Sequence, residues 1–472
     1  MAQTTTAPAA TQLDPKVVRV ALAIIAGGIA VVFDSTIVSI ALHQLRTELQ
    51  TSLGTIQWVS TGYLLAMCAA VPVSAWLQTR LGGKRLWIAA LGVFFLGSVL
   101  CAVAWNAPSL IAFRVVQGLG GGIMIPLMTT LILQAAGGQN LGRLMAVVGM
   151  PIALGPILGP VIGGVILQWL DWRWLFLVNV PFCLVGVFLA WRILDDDHPA
   201  PGAPKRSLDV LGLLQLAPGL VGLVFGLSNV SKSGGFGRAD VWLPIVLGVL
   251  LLAAFARWAL RRGERALLDV KLLRHGPLAL GSTLFALACI GLYGAMLLLP
   301  LYFQNLRSED ALGAALLLIP QGVGNLLSRS IGGRLTDDVG PRWVAVIGFA
   351  VIALGTVPFA FADAGTSEIW LMAVLLVRGA GLGLVLTPLM SVSFVGIERH
   401  QMPDASVISR TAQQLGGSFG TAVLAVILES ASRHAGAVSG FQQAFWWATG
   451  FTVLGALLSV LLPHRPADAR KG

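Results

Sequence analysis

Charge is scarce in this sequence. Only 11% of its 472 residues are Asp, Glu, Lys or Arg, against about 25% in a soluble protein whose surface must stay in water. With 56% hydrophobic residues and a mean hydropathy of +0.83, a soluble globular enzyme is excluded. Cysteine is scarce too. Cys68, Cys101, Cys183 and Cys289 all lie in long apolar runs without a short pair spacing, which argues against both a disulfide framework and a zinc site. The six histidines stand near segment ends or in loops, none in H-E-x-x-H or another ligand spacing, so no metal is expected. A phosphate-binding G-x-x-x-x-G-K-S/T loop is missing, which disfavours an ATP-driven pump. The N-terminal stretch lacks the basic start and cleavage site of a secretory signal, so the first apolar run is expected to be a retained helix.

Long apolar runs are what the chain has instead. A helix crossing a hydrocarbon layer of ~30 Å needs about 20 mostly apolar residues, and fourteen segments between Val17 and Leu462 qualify. Glycine, 56 in all, recurs inside them, as expected where membrane helices pack by close backbone approach. Lys and Arg outnumber Asp and Glu by 31 to 21, an excess that in a soluble chain would suggest nucleic acid. Here the cations follow topology. With both termini cytoplasmic, about four cations fall on the cytoplasmic side for each one outside, Arg329 and Arg410 being counted inside, as the retention of Lys and Arg requires. Nucleic-acid binding is therefore unnecessary.

A repeat organises the fourteen. Leu77-Gln78-Thr79-Arg80-Leu81-Gly82-Gly83-Lys84 and Leu335-Thr336-Asp337-Asp338-Val339-Gly340-Pro341-Arg342 share an L-x-x-x-x-G-x-K/R frame, 258 residues apart. Two six-helix halves alone would set that offset at about 190, so a hairpin is inserted between them, and repeated halves place substrate between them near the midplane. The expected fold is all-α and integral to the membrane. Its parts are a disordered tail 1–16, a six-helix bundle 17–194, a linker with an inserted hairpin 195–275, a second six-helix bundle 276–463 and a tail 464–472.

The two loops resemble the cytoplasmic-loop signature of the major facilitator superfamily, G-x-x-x-D-R-x-G-R-K/R. The first copy keeps Arg80, Gly82 and Lys84 but has Ala75, Thr79 and Gly83 where the signature has glycine, aspartate and arginine. The second keeps Gly333, Asp337, Gly340 and Arg342, with Asp338 where a base is usual. The resemblance implies that these residues lock neighbouring helices at a cytoplasmic gate. Gly155, Gly159, Pro160, Gly163 and Gly164 fit G-x-x-x-G-P-x-x-G-G, which is similar to the antiporter motif of drug-proton exchangers. Physically, glycines at i, i+4 and i+8 clear one helix face for another backbone, and proline permits a bend.

Arg114-Val115-Val116-Gln117-Gly118 resembles the R-x-x-x-G motif of the same superfamily, and Asp34-Ser35-Thr36-Ile37-Val38 resembles part of the D-x-T-I-V-x-x-A-L of its fourteen-span drug:proton branch. Counting rise along the helices puts Asp34 ~22 Å above the inner face and Arg114 ~8 Å below the outer one, the same level in a ~30 Å layer. An arginine at that depth needs a partner. The pair is expected to carry proton coupling, with Gln117 in support. Asp171 to Pro181 and Arg410 to Gly420 resemble further landmarks of that branch, whereas Arg378 stands one residue out of register with Arg114 and is expected to be structural. Trp58, Tyr63, Tyr293, Gln321 and Asn325 are the substrate-lining candidates.

The resemblance implies a monomeric, proton-coupled antiporter, without a cofactor, that exports amphipathic drugs, cationic ones among them, by alternating access in a bacterial cytoplasmic membrane. Its partners would be that substrate, protons and membrane lipids. The alternative is an exporter of an endogenous metabolite, antibiotic or lipid. A non-transporting sensor is less favoured, because the short tails leave little room for a signalling domain.

Overall fold

The computed structural model describes residues 14–136, 141–196, 208–233, 238–263, 266–309 and 311–463, and among these every regular element is helical. Most of the two expected tails, 1–13 and 464–472, and most of the expected linker, 197–207, lie outside the described residues. Eleven helices are long and apolar enough to cross a membrane.

The first bundle comprises α1 (Pro15–Glu48), α2 (Leu53–Leu81), α3 (Gly83–Ala102), α4 (Ala107–Ala136), α5 (Leu141–Trp169), the short α6 (Trp174–Leu177) and α7 (Asn179–Ile193). Local chemistry sets the ends. The Asp14 carboxylate accepts from Lys16 N at 2.8 Å ahead of Pro15, and Ser52 Oγ accepts from Thr55 N at 3.1 Å, each occupying an amide that the first helical turn leaves free. The expected sixth span is split at Val178. Pro181 explains this, because it offers no N–H to the Leu177 carbonyl. Between α2 and α3, Gly82 has φ +81°, a left-handed backbone that glycine adopts without steric cost.

The second bundle comprises α10 (Gly276–Arg307), α11 (Ala311–Leu317), α12 (Ile319–Asp338), α13 (Pro341–Thr356), α14 (Glu368–Val392) and α15 (Met402–Ser459). Gly340, at φ +106° between α12 and α13, repeats the Gly82 turn and gives the sequence repeat its structural counterpart. The expected tenth span divides into α11 and α12 at Leu318, next to Pro320. The expected thirteenth and fourteenth spans form the 58-residue α15, broken where Gly436 leaves helical geometry. α12 is not among the apolar spanning candidates. Its polar residues are explained by position, since one face packs on α5 of the other bundle.

Between the bundles in sequence come α8 (Val210–Ser233) and α9 (Ala239–Arg262), an antiparallel pair that packs through α8 on α2 and α15. Phe225 stacks on Trp58 with centroids 5.7 Å apart, and Val230 and Val241 cluster with Ala422. At the base of the pair Asp209, 1% exposed, accepts from Trp258 Nε1 at 3.1 Å, Gly212 N at 3.1 Å and Leu267 N at 3.2 Å. Arg262 lies 3.5 Å away. Three donors and a cation compensate a carboxylate that would otherwise be costly to bury.

Several contacts place the start of α1, both repeat loops and the end of α15 on one face, here termed the terminal face. Lys16 pairs with Asp195 at 2.7 Å and Lys84 with Asp196 at 3.3 Å, and Arg342 Nε donates to the Leu462 carbonyl at 2.6 Å. The Lys16 ammonium holds Asp195 below the usual carboxylate range.

Candidate functional site

Asp34 lies in the middle of α1, fully buried, and Arg114 two turns into α4 reaches it: Nη1 stands 2.5 Å from Asp34 Oδ2. Gln117, one turn along α4, accepts from the same Nη1 at 2.7 Å and donates through Nε2 to Asp34 Oδ1 at 3.0 Å. Asn179 Nδ2 on α7 donates to Oδ1 at 2.9 Å. All three partners use Asp34 as acceptor, as an ionised carboxylate requires. Arg114 is satisfied further by the Val59 carbonyl at 3.1 Å, and its guanidinium lies 3.9 Å from the centroid of the Tyr63 ring. Ser98 on α3 accepts from Gln117 Nε2 at 2.7 Å. Five helices thus converge on one carboxylate.

Asn179 and Ser98 were not singled out by sequence, and the available signals differ. Asn179 stands in the Asp171 to Pro181 stretch, one amide among apolar residues, and could have been found. Ser98 is an ordinary small residue in an apolar run and carries no such mark.

The glycine ridge of α5 docks on the part of α1 that carries Asp34. A Cβ on Gly155 would press on Val32, one on Gly159 would overlap Thr36 Oγ1, and one on Gly163 would meet Ile37 at 3.0 Å. In return Thr36 Oγ1 donates to the Gly155 carbonyl at 3.0 Å. Gly164 is different, because nothing lies within 4 Å of a Cβ there, so it takes no part in this contact. The side chain of Pro160 lies outside the described residues.

The repeat loops divide their work unequally. Asp337 accepts from the backbone N of Arg143 at 3.0 Å, at the start of α5, where the helix dipole favours a carboxylate. Asp338, the departure from the signature, lies 3.4 Å from Arg143 Nη2. In the first copy Arg80 lies over Trp76 of its own helix and Lys84 pairs with Asp196, just past the end of α7. Of the expected gate residues, Asp337 therefore contacts the other bundle, Gly82, Gly340, Lys84 and Arg342 fix turns or ends within one, and Gly333 is buried in α12. Further links close the terminal face. Thr130 Oγ1 donates to Ser406 Oγ at 2.8 Å, Gln134 Nε2 to the Arg399 carbonyl at 3.3 Å, and the Arg329 guanidinium to the Gly149 carbonyl. Arg329 is 3% exposed. Its place in the sequence count of cytoplasmic cations is thus corrected: it sits about 13 Å inside α12 by helical rise.

The substrate-lining candidates do not form one group. Tyr63 is 1% exposed and covers the Arg114 guanidinium, so its ring serves the buried pair. Trp58 is half exposed and docks α8. Gln321 accepts from Arg378 Nη1 at 2.5 Å, Asn325 keeps a buried Oδ1 without a hydrogen-bond partner, and Tyr293 packs on Gly417 while remaining partly exposed. Arg378 is buried by Gln321, by Thr356 Oγ1 at 3.2 Å and by the Gly291 carbonyl at 3.1 Å. It occupies in the second bundle the place that Arg114 has in the first, with a glycine carbonyl on α10 where α1 offers Asp34.

Residues 24–421 match the Major Facilitator Superfamily profile. The chain belongs to that superfamily. It is an integral membrane transporter and not an enzyme. It is 35% identical over 425 residues to a multidrug resistance protein B homolog of Mycobacterium tuberculosis, covering 90% of this chain and 78% of the relative. It is 29% identical over 444 residues to the lincomycin resistance protein LmrB of Listeria monocytogenes, covering 91% and 93%. Among solved structures a double-tryptophan variant of XylE, a proton:xylose symporter of the same superfamily, superposes with a TM-score of 0.68 at 16% identity, covering 96% of this chain and 98% of that one. That last likeness is one of fold.

Proposed function

We propose that this major facilitator is a proton-coupled antiporter of the fourteen-span drug:proton branch, exporting amphipathic drugs by alternating access across a bacterial cytoplasmic membrane. The observation that carries the proposal is the buried Asp34, held by Arg114, Gln117 and Asn179 inside a spanning bundle. Ionisable residues at such depth are costly and mark ion and proton pathways. The names of the Mycobacterium and Listeria relatives support drugs as cargo.

Taking the cation-rich terminal face as cytoplasmic, the structure is a state closed on that side. Drug loading requires the bundles to part at Arg143–Asp337, Arg329–Gly149 and Thr130–Ser406. α5 belongs to both events, since its N-terminal half holds the other bundle and its glycine ridge holds the Asp34 segment of α1. Moving α5 off α12 therefore shifts the backbone next to Asp34. Protonating Asp34 removes its charge and lets Arg114 turn to other acceptors; deprotonation restores the pair, and the alternation loads a proton at one face and releases it at the other. Counterflow of candidate drugs in vesicles of the pure protein, read with a pH-sensitive dye, tests the coupling. Drug movement without any proton movement contradicts it.

A further inference from the structure

We propose that Arg410 anchors an anionic group of the transported compound, so that the preferred cargo is an amphipathic organic anion. The inference rests on the exporter assignment above and names its substrate class. It begins from the interior charges. Asp34, the carboxylate expected to attract cationic drugs, is fully buried and already engaged by three donors. It offers nothing to a cation in this state.

The second bundle supplies the opposite sign. Among the described residues Arg329, Arg378 and Arg410 form no ion pair. Arg329 and Arg378 are enclosed by carbonyl, hydroxyl and amide oxygens, but Arg410 is only partly buried and donates to Gln413 on its own helix. Asp404 stands in the first turn of α15 on a different face. The position of Arg410 follows from its neighbours along one face of α15. Ser406 touches Thr130 of the other bundle at the closed terminal end, and Arg410 is the next turn, ~6 Å further in. Gly417, two turns beyond, packs on Tyr293 of α10. Arg410 thus shares the face of α15 that meets the other bundle, one turn behind the contact that closes the terminal face.

A partly desolvated cation with no carboxylate attracts an anion strongly and repels a cation, because a low-dielectric surround weakens neither interaction. Outward movement of an anion also runs in the direction that an inside-negative membrane potential favours.

Binding to the purified full-length protein decides the matter without any gradient. Three dansyl probes of equal alkyl length, ending in a carboxylate, a trimethylammonium or a hydroxyl, are titrated by fluorescence polarisation. The carboxylate probe is expected to bind about tenfold more tightly than the ammonium probe. Arg410→Gln should remove that preference while leaving the hydroxyl probe nearly unchanged, and Arg410→Lys should keep part of it. Equal or tighter ammonium binding to the wild type overturns the proposal, as does an unaltered carboxylate preference in Arg410→Gln. Should Arg410→Gln not fold, the wild-type ranking and Arg410→Lys decide alone. Carboxylate preference without proton-coupled counterflow would leave Arg410 as an anion site and sink the antiport assignment instead.

Discussion

The Asn179 side-chain amide on α7 donates to Asp34 Oδ1 on α1 at 2.9 Å, inside a bundle where neither residue is exposed. Removing that donor leaves a buried carboxylate short of one partner, at a cost of about 1–3 kcal/mol. Asn179→Leu should therefore melt several degrees lower and lose most proton-driven transport, although Arg114 remains. Thermal unfolding in detergent and counterflow together check this. An unchanged pH dependence of transport in the variant would remove Asn179 from the coupling site.

The glycine ridge gives an internally controlled pair. Gly159→Leu should abolish exchange while membrane insertion persists, because its side chain would occupy the space of Thr36 against α1. Gly164→Ala should transport normally, since a Cβ there meets nothing within 4 Å. Equal loss in both would mean that the motif acts through helix flexibility and not through the α1–α5 contact.

These two glycines also mark what sequence could and could not resolve. The i, i+4, i+8 spacing identified a packing face, but one motif contains glycines that touch α1 and one that does not, and only the rotation of α5 decides which. The depth argument was of another kind. Rise per residue is fixed, so Asp34 and Arg114 could be put at one level from the chain alone, and the structure brings them into contact. Depth fixes no direction around a helix, however. Tyr63 stood at a plausible level for a substrate contact and instead covers Arg114. The same limit hid Arg329, because a cation near a helix end counts as cytoplasmic until the neighbouring bundle is seen to cover it. The breaks at Val178 and Leu318 were legible in Pro181 and Pro320 but were outweighed by the apolar runs around them.

Asp209 tests the base of the inserted hairpin. Asp209→Ala should destabilise the protein by about 2–3 kcal/mol, because Trp258 Nε1 and Leu267 N lose a shared acceptor. The expected signature is a lower melting temperature with early protease cleavage between α8 and α9 and the second bundle. A melting curve identical to wild type would show that α8 is held by Phe225 and Val230 alone.

The closed terminal face depends on Asp337. Asp337→Asn weakens the charge at the start of α5 and should shift the population toward the state open on that side. With Thr130→Cys and Ser406→Cys introduced together, disulfide cross-linking is expected to be fast in the parent and several-fold slower in the Asp337→Asn background. Equal rates would assign closure to Arg329 and Gly149.

Substrate-induced proton release tests the central claim most directly. The solubilised protein is mixed with a transported drug in weakly buffered solution and the released protons are read with a pH dye, for wild type and for Asp34→Asn. If Asp34 carries the coupling proton, wild type releases protons on binding and Asp34→Asn, still binding the drug, releases none. Equal release from both would contradict the account and move the proton site to another carboxylate.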